Sequence, residues 1–141
     1  MKLTTLILLL LMPATLLSNT DSSDKELFVA LTSADAETQM MAMVLATQSI
    51  NQGVQVRVLL CSDAGELAIK ESESPTFKPA DRSPKQLLNG LIDQGARVEV
   101  CGIFLPNREY TENNLMDNIG VASPPEVATH MNRESVKLFT F

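Results

Sequence analysis

Twice along this chain a helical stretch halts at a glycine and passes straight into an alternating run: Gln52-Gly53-Val54-Gln55-Val56-Arg57-Val58 and Gln94-Gly95-Ala96-Arg97-Val98-Glu99-Val100. Glycine just past a helix takes the left-handed conformation that closes the last turn without a Cβ clash. Valine at every second position suits a pleated strand. With no hairpin signal in the chain, junctions of this kind imply crossovers, and crossovers join parallel strands.

The remaining segments fit the same grammar. Residues 26–32 (ELFVALT) are a short apolar run bounded by polar residues, a strand covered on both faces. Ser33-Ala34-Asp35 offers N-cap oxygens to a helix over 37–52, where Met40, Met41, Ala42, Val44, Leu45 and Ala46 recur at helical spacing. A second strand over 54–61 ends at Cys61. A short helix follows at 65–71, then a polar loop with two prolines at 72–82. Ser83-Pro84 marks the clearest helix start, with serine as N-cap and proline where a missing N–H costs nothing. Leu87, Leu88, Leu91 and Ile92 are its buried stripe, and a third strand over 96–101 ends at Cys101. An Asn/Glu-rich loop, a strand near 119–122, a helix from Pro124-Pro125 to residue 132 and a strand over 136–141 complete the chain. The sum is an α/β domain with a mostly parallel five-stranded sheet and helices on both faces. Sites in such sheets gather outside the carboxyl ends of the strands, where both cysteines stand.

A chain of 141 residues suffices for one domain with a core and is short for two. The formal charge of -6, without any Lys/Arg cluster, removes the basis for binding phosphate backbones, so nucleic acid is not an expected partner. At the start, Lys2 followed by an apolar stretch over 3–17 and a polar stretch over 18–24 reads as a signal peptide over 1–23. Cleavage is expected between Ser18 and Ser23, with an uncleaved anchor as the alternative, and an exported, periplasmic-type location follows. No later segment is long enough to span a bilayer, so no stable membrane span is expected after cleavage.

Export places Cys61 and Cys101 in oxidising surroundings, where thiols pair or react. Counted from Gly53 and Gly95, both have even parity, which puts them on one face at one end of the sheet. A strand order with the first strand between the second and third would hold them two strand spacings apart, about 9 to 10 Å. A disulfide needs Cα atoms within about 7 Å, so this order predicts unbridged thiols. Cys101 is the stronger candidate for chemistry: Gly102 follows it, Arg108 is close in sequence, and a helix N-terminus beside it would favour the thiolate. Cys61 reads first as a small buried residue.

Other chemistry has less behind it. Met40, Met41 and Met43 do not converge on one helical face and so make a poor copper site. His130, the one histidine, would be needed for any Cys-His pair and lies in a late, surface-like helix. Asp63, Glu66, Asp81, Asp117 and Glu126 read as caps and surface charge. No GxGxxG, phosphate loop, GxSxG or CxxC occurs, so neither a cofactor nor a metal is called for.

The segments Leu59-Leu60-Cys61-Ser62-Asp63-Ala64-Gly65, Ser83-Pro84-Lys85-Gln86-Leu87-Leu88 and Val98-Glu99-Val100-Cys101-Gly102-Ile103-Phe104-Leu105-Pro106-Asn107 resemble the DsrE/DsrF-like family in its exported branch. The resemblance covers nearly the whole of 24–141. It implies a three-layer flavodoxin-like fold and homo-oligomers, trimers or hexamers. In sulfur-relay members it implies a cysteine that takes up sulfur as a persulfide and passes it on, with sulfur-donor and acceptor proteins as partners. By position that cysteine matches Cys101. Three readings follow: a sulfur carrier or sulfurtransferase using Cys101, aided by Cys61; a non-catalytic oligomeric protein binding a small ligand or partner at the cleft of Ser33–Asp35, Cys61–Asp63 and Cys101–Phe104; and a thiol redox protein cycling a Cys61–Cys101 disulfide.

Overall fold

Short strands that are apolar on both faces need a helical layer on each side. In the computed structural model, which describes residues 25–141, β1 (Glu26–Leu31), β2 (Gln55–Leu60), β3 (Arg97–Val100), β4 (Ile119–Val121) and β5 (Val136–Thr140) form one sheet in the order β4-β3-β2-β1-β5. Every pairing is parallel. The signal peptide expected over 1–23 lies outside the described residues. Within them, no helix is long and apolar enough to cross a membrane.

One face of the sheet carries most of the core. Leu27, Val29 and Leu31 of β1, Val56, Val58 and Leu60 of β2, and Val98 and Val100 of β3 bury against α1 (Ala36–Asn51) and α2 (Pro84–Asp93) through Ala42, Met43, Ala46, Leu88 and Leu91. The opposite face is thinner: Phe28, Ala122 and Val127 cluster where α4 (Pro124–Met131) covers the strands. These three layers are the flavodoxin-like architecture that the family resemblance implies. The helix ends follow their predicted chemistry. Asp35 Oδ1 accepts from Thr38 N at 2.7 Å, Ser83 and Gln86 exchange hydrogen bonds in a capping box, and Gly53 and Gly95 carry positive φ of 81° and 91° past α1 and α2.

The strand order corrects the sequence reading. The first strand is not between the second and third, because β2 pairs with β1 on one side and β3 on the other. The physical reason is that α1 and α2 pack into the same core on one face. Right-handed crossovers on a single face step in one direction, β1 to β2 to β3, and the return to β1's other side waits for α4 on the second face.

Two further details differ. The helix predicted at 65–71 is a 3₁₀ segment, Ser62–Ala68, that starts directly after Cys61. The loop predicted after Cys101 contains a single helical turn, α3 (Phe104–Asn107), and a short 3₁₀ turn, Glu112–Asn114.

Candidate functional site

Register brings the two cysteines together. Leu60 of β2 pairs with Val100 of β3, so Cys61 and Cys101 are the next residues of two neighbouring strands. The parallel ladder runs one step further: Cys61 N donates to Leu31 O at 2.9 Å and Cys101 N to Leu60 O at 2.8 Å. Neighbouring strands lie about 4.8 Å apart, half the separation expected from the other strand order. Both residues are free thiols and half-buried, near enough for Cys101 to bear on the titration of Cys61. They do share an end of the sheet, as predicted, but the geometric objection to their reacting with one another falls.

Burial first, then the hydrogen bond and charge of Cys101, push the Cys61 thiol up to about 12. Cys61 is therefore a neutral S–H across the ordinary pH range. At rest it is not a thiolate, and it can act as a nucleophile only as its proton is taken up by another group.

The turns after the two cysteines are built against each other. Ser62 takes a left-handed φ of 51°, a conformation that is costly for a residue with a Cβ, and so swings the chain from Cys61 into the 3₁₀ segment. Gly65 of that segment faces the Phe104 ring so closely that an added Cβ would sit 2.4 Å from two ring carbons. Phe104 N donates to Cys101 O at 2.8 Å, closing the turn after the second cysteine. An added Cβ on Gly102 would come within 3.2 Å of Ala122 O. Sequence reasoning missed the pairing of Gly65 with Phe104; two small residues in Asp63-Ala64-Gly65 directly after a strand were the available signal. Ile103, two residues from Cys101, is 71% exposed at the rim.

Arg108 is not directed at Cys101 as the sequence suggested. Its guanidinium bonds Asp63 and, at 3.5 Å, Glu66, and lies 5.8 Å from the centre of the Phe104 ring. Tyr110 Oη donates to Glu66 at 3.1 Å. These contacts tie α3 to the 3₁₀ segment and so hold the two cysteine turns together. Lys85 Nζ reinforces the segment's far end by donating to the carbonyls of Ile69, Lys70 and Ser72. On the neighbouring side, Ser33–Asp35 is taken up in capping α1, with Gln39 Nε2 donating to Ser33 O at 2.8 Å.

His130 is corrected in both respects. It is buried, with its ring 5.6 Å from that of Phe28 and Nδ1 3.4 Å from Glu26 Oε2. It also lines a cavity at the amino ends of β1, β2 and β3, opposite the cysteines, so no Cys-His pair forms. This cavity, about 830 Å³, is bordered by Arg57, Arg97, Arg133, Glu26 and Glu126 and contains no thiol. The carboxylates named in the sequence serve as ion-pair partners: Asp81 with Lys78, Asp117 with Lys70, Glu126 with Arg97. Met43 is in the core while Met41 is exposed. Among the described residues no group of three His, Cys, Asp or Glu side chains converges as a metal site would require.

Comparison with known proteins places this geometry in a wider set. An uncharacterised protein of Methanocaldococcus jannaschii, MJ0760, is 22% identical over 114 residues, which span 79% of this chain and 42% of that protein. The chain thus spans less than half the length of this curated relative. The crystal structure of the ychN protein from E. coli superposes with a TM-score of 0.67 at 21% identity, covering 82% of this chain and 98% of the other. A protein of unknown function from Methanobacterium thermoautotrophicum, MTH1491, gives 0.64 at 14% identity, over 83% and 99% of the two chains. These likenesses show a shared fold. Residues 25–141 match the DsrE/DsrF-like family profile across the whole described domain. With its three-layer sheet and paired carboxyl-end cysteines, the chain belongs to the DsrE/DsrF-like family, which is broadly related to sulfur relay.

Proposed function

We propose that this protein is an exported sulfur carrier of the sulfurtransferase type, holding sulfur as a persulfide on Cys101. The observation that carries the reading is the thiol pair. Cys101 and Cys61 are the next residues past two paired strand ends, both free and half-buried, so a sulfur added to Cys101 stands beside a second thiol. The exposed Ile103 at the rim gives a donor or acceptor protein apolar surface next to the sulfur. Export rests on the signal-like segment over 1–23, and self-association on the family resemblance together with the exposed Leu138 and Phe139 of edge strand β5.

The test is to treat the Cys61→Ala variant with inorganic polysulfide and map masses by peptide. A gain of about 32 Da, one sulfur atom, on the Cys101 peptide and its absence in Cys101→Ser is the expected result. A Cys101 peptide that gains nothing overturns the reading. A second reading, a thiol redox protein cycling a Cys61–Cys101 disulfide without carried sulfur, is favoured by the adjacent strand ends. It predicts that glutathione disulfide alone closes the bridge and that polysulfide adds no mass.

A further inference from the structure

We propose that Cys61 discharges the sulfur carried on Cys101: its sulfur attacks the inner sulfur of the Cys101 persulfide, forms a Cys61–Cys101 disulfide and releases hydrosulfide. The inference rests on the carrier reading of Cys101 and assigns Cys61 a role that reading does not require. A carrier of this kind ends its cycle by releasing reduced sulfur on its own, whereas a simple relay holds its sulfur until an acceptor protein arrives.

The geometry points to it through three observations. First, the strand register makes the two residues immediate neighbours one step past Leu60 and Val100, with both backbone amides held in the ladder. A strand spacing of about 4.8 Å falls inside the Cα range of about 4.4–6.8 Å that a disulfide spans. Second, both thiols are free and half-buried at the same end of the sheet, so a sulfur added to Cys101 leaves the inner sulfur beside its neighbour. Third, the turns are fixed by contacts that belong to neither thiol: the left-handed Ser62, the Gly65–Phe104 packing and the Arg108 bonds to Asp63 and Glu66. Reacting groups held in place convert a bimolecular exchange into a step within one chain.

The step balances without an outside oxidant. The bond between the Cys101 sulfur and the carried sulfur breaks, and a bond between the Cys101 and Cys61 sulfurs forms. As the Cys61 sulfur attacks, its proton moves to the outer sulfur of the persulfide anion, which leaves as HS⁻, so no free Cys61 thiolate forms first. Counted as a sulfur atom added to a thiolate, the carried sulfur gains two electrons, one from each cysteine sulfur. Burial keeps the Cys61 proton in place until that transfer. A thiol reductant then reopens the disulfide for another cycle.

The experiment compares wild type with Cys61→Ala, and with Cys61→Ser as a check against a packing defect. Each purified chain is charged with a slight excess of inorganic polysulfide, desalted, and followed by intact mass and by sulfide release. Wild type is expected to pass from about 32 Da heavier to about 2 Da lighter than the reduced chain while releasing one sulfide per chain. Both variants are expected to keep the added sulfur at least about tenfold longer. If the variants load and wild type holds its sulfur equally long without releasing sulfide, the proposal is overturned and the carrier reading stands. If no variant loads at Cys101, the carrier reading fails and takes this inference with it.

Discussion

At the scale of single residues, the site depends on a glycine as well as on the Arg108 ion pairs. Gly65 leaves room for the Phe104 ring, which Tyr110 approaches at 6.0 Å between ring centres and Arg108 covers from another side. A ring held in this way cannot swing aside for a methyl group. Gly65→Ala is expected to destabilise the fold by about 1–3 kcal/mol, the usual result of overpacking a tight contact, and to alter the setting of both cysteine turns. Urea denaturation read by circular dichroism measures the first effect, and an unchanged midpoint would contradict the packing. The placing of both cysteines at carboxyl strand ends was legible in the sequence, because each closes an alternating run. Their standing on neighbouring strands was not, because parity along one strand carries no information about strand order.

At the scale of elements, β2 and β3 are joined by a charge pair inside the protein. Arg57 Nε donates to Glu99 Oε2 at 2.8 Å, both side chains are buried, and Arg97 extends the network to Glu99 at 2.7 Å and to Glu126 of α4 at 3.0 Å. These charges stand on alternate positions of the strands, on the α4 face. An alternating pattern read from sequence assigns such positions to solvent, and only the docking of α4 buries them. Glu99→Leu leaves the Arg57 guanidinium buried without its partner and is expected to cost about 3–5 kcal/mol. The double variant Arg57→Leu, Glu99→Leu should recover much of that loss, so equal stabilities for the single and double variants would show that the pair is not coupled. The strands and helices themselves were largely legible. Gly53, Gly95, Ser83-Pro84 and the valine runs are local signals, and local signals locate elements without ordering them in space.

At the scale of the whole molecule, the two ends of the sheet are specialised differently. The carboxyl ends of β2 and β3 present the thiol pair, while the amino ends open on the charged cavity that His130 lines. Burial depresses the His130 pKa more than the nearby Glu26 raises it, with Arg57, Arg97 and Arg133 adding to the depression. The folded chain therefore binds fewer protons at this site than the unfolded chain. Stability should fall as pH drops below about 6.5, the ordinary histidine value. As His130 is the only histidine in the sequence, melting curves between pH 7.5 and 5.5 isolate it from carboxylates that titrate lower. A melting temperature that rises on acidification across this window would contradict the assignment.

Central to the proposal is that Cys61 and Cys101 act as one site in which Cys61 is protonated at rest and Cys101 takes up the sulfur. The direct measurement is residue-resolved alkylation of the reduced chain with iodoacetamide from pH 6 to 11, each cysteine followed by peptide mass. Label is expected to enter Cys101 first throughout, with Cys61 labelling appreciably only at the alkaline end, as its thiol value of about 12 requires. Equal labelling of the two near neutral pH, or earlier labelling of Cys61, would contradict the proposal.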